Sequence, residues 1–164
     1  GGIFKATGNA SPAVTLQGIK NKGEYQTIEM ERFLIKHKIS DYNQNPFFPV
    51  NTLQIMRGAV FAQTQNDYKR YIDEIYQHMW CEPKKMDEPE VIRAALEQSG
   101  LPAADIFAGM QDPTIKQTLI DNTNRSVEMG AFGSPTFFVG KEIFFGKDKL
   151  TDVEDEILKN NQKR

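Results

Sequence analysis

A histidine and a cysteine, two residue types that often bind metals or act in catalysis, lie three positions apart in this sequence. His78 and Cys81 fall in a stretch that predicts a helix, where both side chains could share one face. A zinc site needs three or four ligands, and the other histidine, His37, is far along the chain. A nucleophilic cysteine needs a positive partner, and the sequence identifies none for Cys81. We therefore predict neither a metal site nor a cysteine nucleophile.

Eight polar or proline residues could contact a ligand: seven lie in loops or near the ends of predicted helices and strands, and Arg57 lies on a predicted helix. They are Asn9, Lys22, Asn51, Arg57, Ser134, Pro135, Lys147 and Asp148. Each also has an ordinary structural interpretation. Asn favours turns and Asp favours helix N-caps, an X-Pro pair before a strand is typical of a turn, and surface lysines and arginines form ion pairs. The residues alone leave both interpretations open.

Composition limits the classes of function that these residues can serve. The 164 residues are 39% hydrophobic and 26% charged, which is typical of one globular domain. The formal charge of -2 gives no reason to expect nucleic acid or an anionic membrane as partner. No apolar run approaches the roughly 20 residues of a membrane span. The single cysteine excludes an intrachain disulfide and fits a reducing, cytoplasmic location.

Hydrophobic periodicity predicts helices through most of the chain and a β-hairpin near its end. We expect an irregular segment over 1–18, a loop over 41–49 and a short helical turn over 102–110. The predicted helices are about 22–38, 51–65, 67–80, 87–100, 113–129 and 150–159. Capping-box patterns, Asn51 with Gln54 and Asp87 with Glu90, mark two helix starts.

The predicted hairpin needs more structure around it than the sequence offers. Two apolar strands, 136–139 and 143–145, flank Gly140-Lys141, which suits a two-residue turn. An isolated two-stranded hairpin is marginally stable in water. The sequence shows no further strand candidates, so we expect that strands are missing or come from another chain.

Several short motifs, in order along the chain, resemble the 2-hydroxychromene-2-carboxylate isomerases. These are relatives of the kappa-class glutathione transferases within the DsbA-like group. The matching segments are Gly1 to Lys5 with Gly8-Asn9, Lys22-Gly23 with Tyr25, Phe48 to Leu53 with Met56 to Gly58, Gly130 to Phe137, and Phe144 to Leu150. Each motif is weak by itself, and their order over nearly the whole chain carries the resemblance.

The resemblance implies an α/β class, a thioredoxin-like fold with an all-helical insertion domain. It implies a linker over 1–21, the helical insertion over 22–130, and a C-terminal thioredoxin half over 131–164 with the hairpin and last helix. The family's first strand-helix-strand unit has no counterpart here, and the chain starts with Gly rather than Met. We therefore expect the first unit, which carries the family's catalytic serine, to be absent from this chain.

The resemblance also implies a glutathione site. A cis Pro135 would turn the Ser134 backbone toward the cysteinyl part of glutathione, to pair as an added strand does. Asp148 would bind the γ-glutamyl ammonium and Lys147 its carboxylate. Asn9 would lie by the glycyl end, and Lys22 would pair with a glutathione carboxylate. Asn51 and Arg57 are weaker candidates for contacting an anionic substrate.

The implied function is a glutathione-dependent isomerase or kappa-like transferase that acts on a small aromatic carboxylate, with a homodimer as the expected assembly. A glutathione thiolate would add to a conjugated double bond, allow rotation, and leave again. Two alternatives remain. One is a DsbA-like disulfide oxidoreductase, which predicts a Cys-x-x-Cys outside these residues, and the other is a truncated, non-catalytic binding protein.

Overall fold

Helices make up most of the described chain, which is residues 1–15 and 18–162 of a computed structural model. The helices are α1 Gly2–Thr7, α2 Pro12–Thr15, α3 Lys22–His37, α4 Leu53–Thr64, α5 Tyr68–Tyr76, α6 Pro89–Gln98, α7 Ala103–Gln111, α8 Pro113–Glu128 and α9 Leu150–Asn161. The strands are β1 Thr136–Val139 and β2 Glu142–Phe145. A π-helical turn, Gln77–Cys81, follows α5, and a 3₁₀ turn, Lys147–Lys149, precedes α9. Within this described part, every helix is too short or too polar to cross a bilayer.

The chain divides into two units. The first unit consists of Gly1–Ser11 and Ile120–Arg164, and the second unit is Pro12–Leu119. The candidate residues Asn9, Ser134, Pro135, Lys147 and Asp148 belong to the first unit. The second unit holds Lys22, Asn51 and Arg57, and it also holds the main hydrophobic core.

The core of the second unit is built by α4 to α7, and α4 approaches α7 closely. Its fully buried members with the largest side chains are Tyr71, Met86, Ile92, Leu96 and Met110. Glycines make the approach possible. A Cβ on Gly58 would lie 2.7 Å from Met110 Cε and would collide with the Tyr71 hydroxyl, which donates to Ile55 O at 2.8 Å. Packing at this density fixes the positions of the α4 side chains.

An asparagine-rich loop holds the π-helical turn in place. A π-helical turn leaves backbone carbonyls without the usual i+4 partner. Asn45, which is 2% exposed, donates from Nδ2 to Met79 O at 3.0 Å and to Lys84 O at 3.1 Å. Asn43 donates to Cys81 O from Nδ2 at 2.7 Å and to Trp80 O from its backbone at 2.6 Å. The loop thus completes the hydrogen bonding of the turn.

Replacing Asn45 by alanine is expected to destabilise the protein by about 2 kcal/mol, because the buried Met79 carbonyl loses its donor and the partly buried Lys84 carbonyl loses one of its two donors. Urea unfolding followed by fluorescence of Trp80, the single tryptophan, measures the effect. Asn43→Ala is the matched control. Because Asn43 is exposed and its backbone hydrogen bond persists in the variant, this substitution should lower the free energy of unfolding by less. Equal losses of unfolding free energy in the two variants would show that the side-chain hydrogen bonds of Asn45 do not stabilise the π-helical turn.

The first unit contains the hairpin that the sequence predicts. β1 and β2 are antiparallel with Thr136 opposite Phe145 and Val139 opposite Glu142, and Gly140 adopts φ +62° in the two-residue turn. The left-handed conformation at the turn explains why glycine occupies it. The β1 side chains are half-buried, whereas Ile143 and Phe145 on β2 are exposed by 42% and 44%. That further strands complete this sheet stays a prediction.

The structure corrects the sequence predictions at several helix starts. The segment expected to be irregular contains α1 and α2, which are too short to show a 3.6-residue period. The N-cap of α4 is Thr52 rather than Asn51, and the N-cap of α6 is Glu88 rather than Asp87. Neither predicted capping box forms, because Asp87 turns to the N–H of Asn51 at 3.4 Å instead.

Candidate functional site

In the first unit, the loop that leads into β1 is tied to the segment after α1. Asn9 donates from Nδ2 to Phe132 O at 2.7 Å, and its Oδ1 accepts from Ala10 N–H at 2.8 Å. A Cβ on Gly133 would lie 2.9 Å from the Phe145 ring, so only glycine lets this loop pack here. The amide of Asn9 keeps one N–H and one lone pair for another partner. Asn9 therefore positions the loop and can still contact a ligand.

Ser134 offers an unpaired stretch of backbone at the start of β1. The residue is exposed, and the Ser134–Pro135 peptide is cis. Across residues 1–15 and 18–162, no hydrogen bond involves the Ser134 N–H or C=O. A donor and an acceptor on one exposed residue can pair with the backbone of an extended ligand, as an added strand does.

Lys147 and Asp148 lie beside this backbone. The N–H of Gly146 donates to Pro135 O at 3.0 Å, which brings the end of β2 against the residue after Ser134. Lys147 Nζ and Asp148 Oδ1 then form an ion pair at 2.6 Å, with 75% of the Asp148 side chain exposed. Asn9 thus contacts the loop two residues before Ser134, and the Lys147–Asp148 pair follows the residue that bonds to Pro135.

The charges of this group suit a zwitterion. A free α-amino acid group carries an ammonium, which a carboxylate such as Asp148 can bind, and a carboxylate, which a lysine can bind. Because the two protein charges cancel, a neutral zwitterion can replace their mutual pairing without leaving either one unpaired. Together with the Ser134 backbone, the site can hold a peptide that ends in a free amino acid group.

The other predicted site residues lie in the second unit. Lys22 is the exposed first residue of α3. Asn51 is exposed, and its Oδ1 accepts from Leu53 N–H at 3.1 Å, so it satisfies one free N–H of α4. Arg57 is half-buried on α4, and its Nε is buried without a partner among the described residues. Arg57 was also expected to form an ion pair with a neighbour, and no such pair occurs among the described residues.

His78, only 3% exposed, belongs to a directional chain of hydrogen bonds. Ser99 Oγ donates to Glu74 Oε2 at 2.7 Å, so it must accept from His78 Nε2, 2.9 Å away. The Lys84 ammonium, which can only donate, lies 2.9 Å from Nδ1. His78 is therefore the neutral tautomer with its proton on Nε2.

This tautomer decides what the network can do. A histidine that activates a serine must accept the hydroxyl proton. Here His78 donates to Ser99, so Ser99 is not an activated nucleophile. Both ring nitrogens are used, and the part of the chain that the structure describes holds no cluster of three or more His, Cys, Asp or Glu side chains able to bind a metal. Burial and the Lys84 cation lower the pKa of His78.

Sequence reasoning missed the residues whose roles depend on distant partners. Asn45 bonds to residues 34 and 39 positions away, and Ser99 lies 21 positions from His78. The density of asparagine in 41–49 was a usable signal, since asparagine side chains satisfy free carbonyls. No local pattern links His78 to Ser99 or Asp87 to Asn51.

The sequence matches the family described as the DSBA-like thioredoxin domain over residues 1–158. Among curated proteins it is 25% identical over 104 residues to 2-hydroxychromene-2-carboxylate isomerase of Sphingobium xenophagum, covering 62% of this chain and 52% of that protein. It is 24% identical over 168 residues to human glutathione S-transferase kappa 1, covering 91% of this chain and 70% of that protein. The isomerase of Pseudomonas putida is 21% identical over 151 residues, with 91% and 71% covered. The chain thus spans about half of the length of the Sphingobium isomerase.

A solved structure described as 2-hydroxychromene-2-carboxylate isomerase matches with a TM-score of 0.81 at 19% identity. The match covers 98% of this chain and 77% of that one. At this identity the likeness shows the fold, which is helix-rich with a small two-stranded sheet in the described residues. The family match covers nearly the whole sequence, and the chain belongs to the DsbA-like thioredoxin family.

Proposed function

We propose that this chain is the glutathione-binding part of an enzyme of the 2-hydroxychromene-2-carboxylate isomerase or kappa-like transferase type. The observation that carries the proposal is the unpaired Ser134 backbone beside the Lys147–Asp148 pair. Glutathione presents the two complementary features: a cysteinyl backbone that can pair with Ser134, and a γ-glutamyl zwitterion that can pair with Asp148 and Lys147. The name of the human relative, glutathione S-transferase kappa 1, supports the same ligand.

The residues of this site bind and orient glutathione in the proposal. Ser134 fixes the cysteinyl unit through its N–H and C=O, and Asn9 holds the loop that carries Ser134. Bound glutathione would supply a thiolate that adds to a conjugated bond of an aromatic carboxylic acid and leaves after rotation. None of these residues is assigned a catalytic role.

Location and assembly complete the proposal. A cytoplasmic protein would meet reduced glutathione, and the single cysteine of the chain fits that environment. A homodimer is the assembly we expect, and its solution mass by light scattering would test it. A disulfide oxidoreductase is the competing function suggested by the family, and its cysteine pair would have to lie outside these residues, which hold one cysteine.

The deciding experiment uses the enzyme that contains this chain, and it compares isomerisation of an aromatic 2-hydroxychromene carboxylate with no thiol, with glutathione and with S-methylglutathione. We expect activity only with glutathione and inhibition by S-methylglutathione, because the blocked sulfur still occupies the site. Activity that is unchanged without glutathione would refute the proposal. Reduction of insulin disulfides, in the absence of thiol-dependent isomerisation, would favour the oxidoreductase.

A further inference from the structure

The hydrogen bonds around His78 in the second unit all run in one direction. The Lys84 ammonium donates to His78 Nδ1 at 2.9 Å, His78 Nε2–H donates to Ser99 Oγ at 2.9 Å, and Ser99 Oγ–H donates to Glu74 Oε2 at 2.7 Å. The chain therefore begins at a cation and ends at an anion. Both ends are half-buried, whereas the imidazole between them is 3% exposed.

A proton added to this chain has one place to bind, and that place conflicts with Lys84. An imidazolium carries an N–H on both ring nitrogens. The Nε2–H of His78 keeps its acceptor, because Ser99 still donates to the Glu74 carboxylate. The new Nδ1–H would point at the Lys84 ammonium, which has no lone pair and carries the same charge. Protonation therefore requires the imidazole and the ammonium to separate.

Of the two groups, the ammonium is the one that is free to move. The backbone of Lys84 is fixed, because its N–H donates to His78 O at 2.8 Å and its C=O accepts from Asn45 Nδ2 at 3.1 Å. The Lys84 side chain is half-buried, and its other hydrogen bond goes to Oε1 of the exposed Gln98 at 2.6 Å. A lysine stem is long and flexible, so the ammonium can turn into water while the backbone stays in place.

Charges on every neighbouring element set the balance between the two states. Burial first, and then Lys84, lower the pKa of His78, whereas Glu74 on α5 and Glu82 in the loop after the π-helical turn oppose them. Arg70 of α5 donates to the carbonyls that end α6, so a second cation stays near Ser99. Departure of the Lys84 ammonium removes the main like charge and leaves the anions in place, which favours the imidazolium.

We propose that His78 is a proton-operated switch for Lys84. A proton from solvent takes the Nδ1 lone pair that Lys84 had used, and the ammonium leaves both His78 and Gln98 for water while the second unit stays folded. The segment 82–88 then loses its side-chain link to α6, and the surface there gains an exposed cation. The switch is a local rearrangement that precedes any acid unfolding, and it is independent of the proposed glutathione site.

Heteronuclear NMR of the ¹⁵N,¹³C-labelled protein, titrated from about pH 8 to about pH 5, tests the switch. At the upper pH we expect the neutral His78 tautomer with its proton on Nε2. On acidification the side-chain Cε and Hε signals of Lys84 should shift with the same midpoint as the imidazole signals of His78. In His78→Gln, the Lys84 signals should show no inflection over this range.

A lysine variant and its neighbour isolate the charge. Lys84→Met keeps most of the stem without the ammonium, so the pKa of His78 should rise. Lys85→Met is the matched control, because Lys85 is the next residue but pairs with the exposed Glu88 at 2.6 Å. In that variant, His78 should titrate as in the unaltered protein.

Four outcomes would overturn the switch. They are a neutral tautomer with its proton on Nδ1, Lys84 signals that do not follow the titration of His78, an unchanged pKa of His78 in Lys84→Met, and loss of the dispersed amide signals over the range in which His78 binds its proton. The last would mean that protonation unfolds the unit instead of moving one side chain. Because three of the four readouts need only the unaltered protein, the proposal stays falsifiable if Lys84→Met does not fold.

Discussion

Asp148→Asn is expected to lower the affinity for glutathione by about tenfold, the cost of losing one charge-assisted hydrogen bond to the γ-glutamyl ammonium. The effect belongs at the lower end for such a bond, since 75% of the Asp148 side chain is exposed and solvent screens the interaction. Calorimetric titration with glutathione measures it. Affinity should also fall with added salt in the unaltered protein, and less so in the variant.

A second ligand isolates the proposed contact. Glutathione that lacks the γ-glutamyl amino group has no ammonium, so the unaltered protein should bind it about tenfold more weakly than glutathione, whereas Asp148→Asn should bind the two ligands equally. Asp152→Asn is the matched control, because Asp152 lies four residues after Asp148 and pairs with Lys149 at 2.8 Å. Persistent discrimination between the two ligands in Asp148→Asn would show that the ammonium is bound elsewhere.

The elements around this site could be predicted from the sequence because their signals are local. The strands Thr136–Val139 and Glu142–Phe145 are rich in β-branched and aromatic residues and flank a glycine that the turn requires, so the hairpin was predicted with its turn at the right residues. Asp112 caps the start of α8 through Thr114 N–H at 2.6 Å, as the Asp-Pro pair indicated. Such patterns act within a few residues and need no tertiary partner.

The candidate site depended on the family resemblance as well as on local patterns. From residue type alone, Asp148 was expected to cap a helix and Asn9 to form a turn. The family resemblance added the prediction that both contact glutathione. The structure adds that Asn9 reaches Phe132 and that Gly146 reaches Pro135. The Asn9–Phe132 bond joins residues that are 123 positions apart, which periodicity and capping rules do not encode.

Where local rules failed, a tertiary contact replaced the local one. Asp87 and Glu90 have capping-box spacing, but Asp87 bonds to Asn51, 36 residues away. Gln54 was expected to close a capping box with Asn51, and instead its Oε1 is buried without a partner among the described residues. The two failures occur at one place, the start of α4. Departures from local consistency of this kind are expected at functional positions.

His78 gives the largest expected effect on stability. His78→Ala should destabilise the protein by about 3 kcal/mol, since it opens a cavity and removes hydrogen-bond partners from Lys84 and Ser99. Urea unfolding measures the change, and His37→Ala is the matched control, because His37 is exposed at the end of α3. A loss of unfolding free energy below about 1 kcal/mol would mean that water replaces the imidazole and that the hydrogen bonds of His78 do little to stabilise the fold.

The same network predicts how stability depends on pH. Burial first, and then the Lys84 cation, lower the pKa of His78 from its ordinary value of 6.5, while Glu74 and Glu82 partly oppose this. Protonation would place an N–H on Nδ1 against the Lys84 ammonium 2.9 Å away, so the folded state resists it. Below pH 6.5 the unfolded chain then binds more protons than the folded one, and stability falls as pH falls.

Above pH 6.5 the neutral His78 makes its full contribution to the free energy of unfolding, so that contribution depends on pH only below this value. His78→Gln keeps a polar side chain of similar reach without a titrating group. The difference in unfolding free energy between the unaltered protein and His78→Gln should therefore shrink as the pH is lowered below 6.5, and stay constant above it. A difference that grows on acidification would mean that the folded state favours the imidazolium. In that case Glu74, rather than Lys84, would dominate the field at His78, and the neutral tautomer inferred from the hydrogen bonds would be wrong.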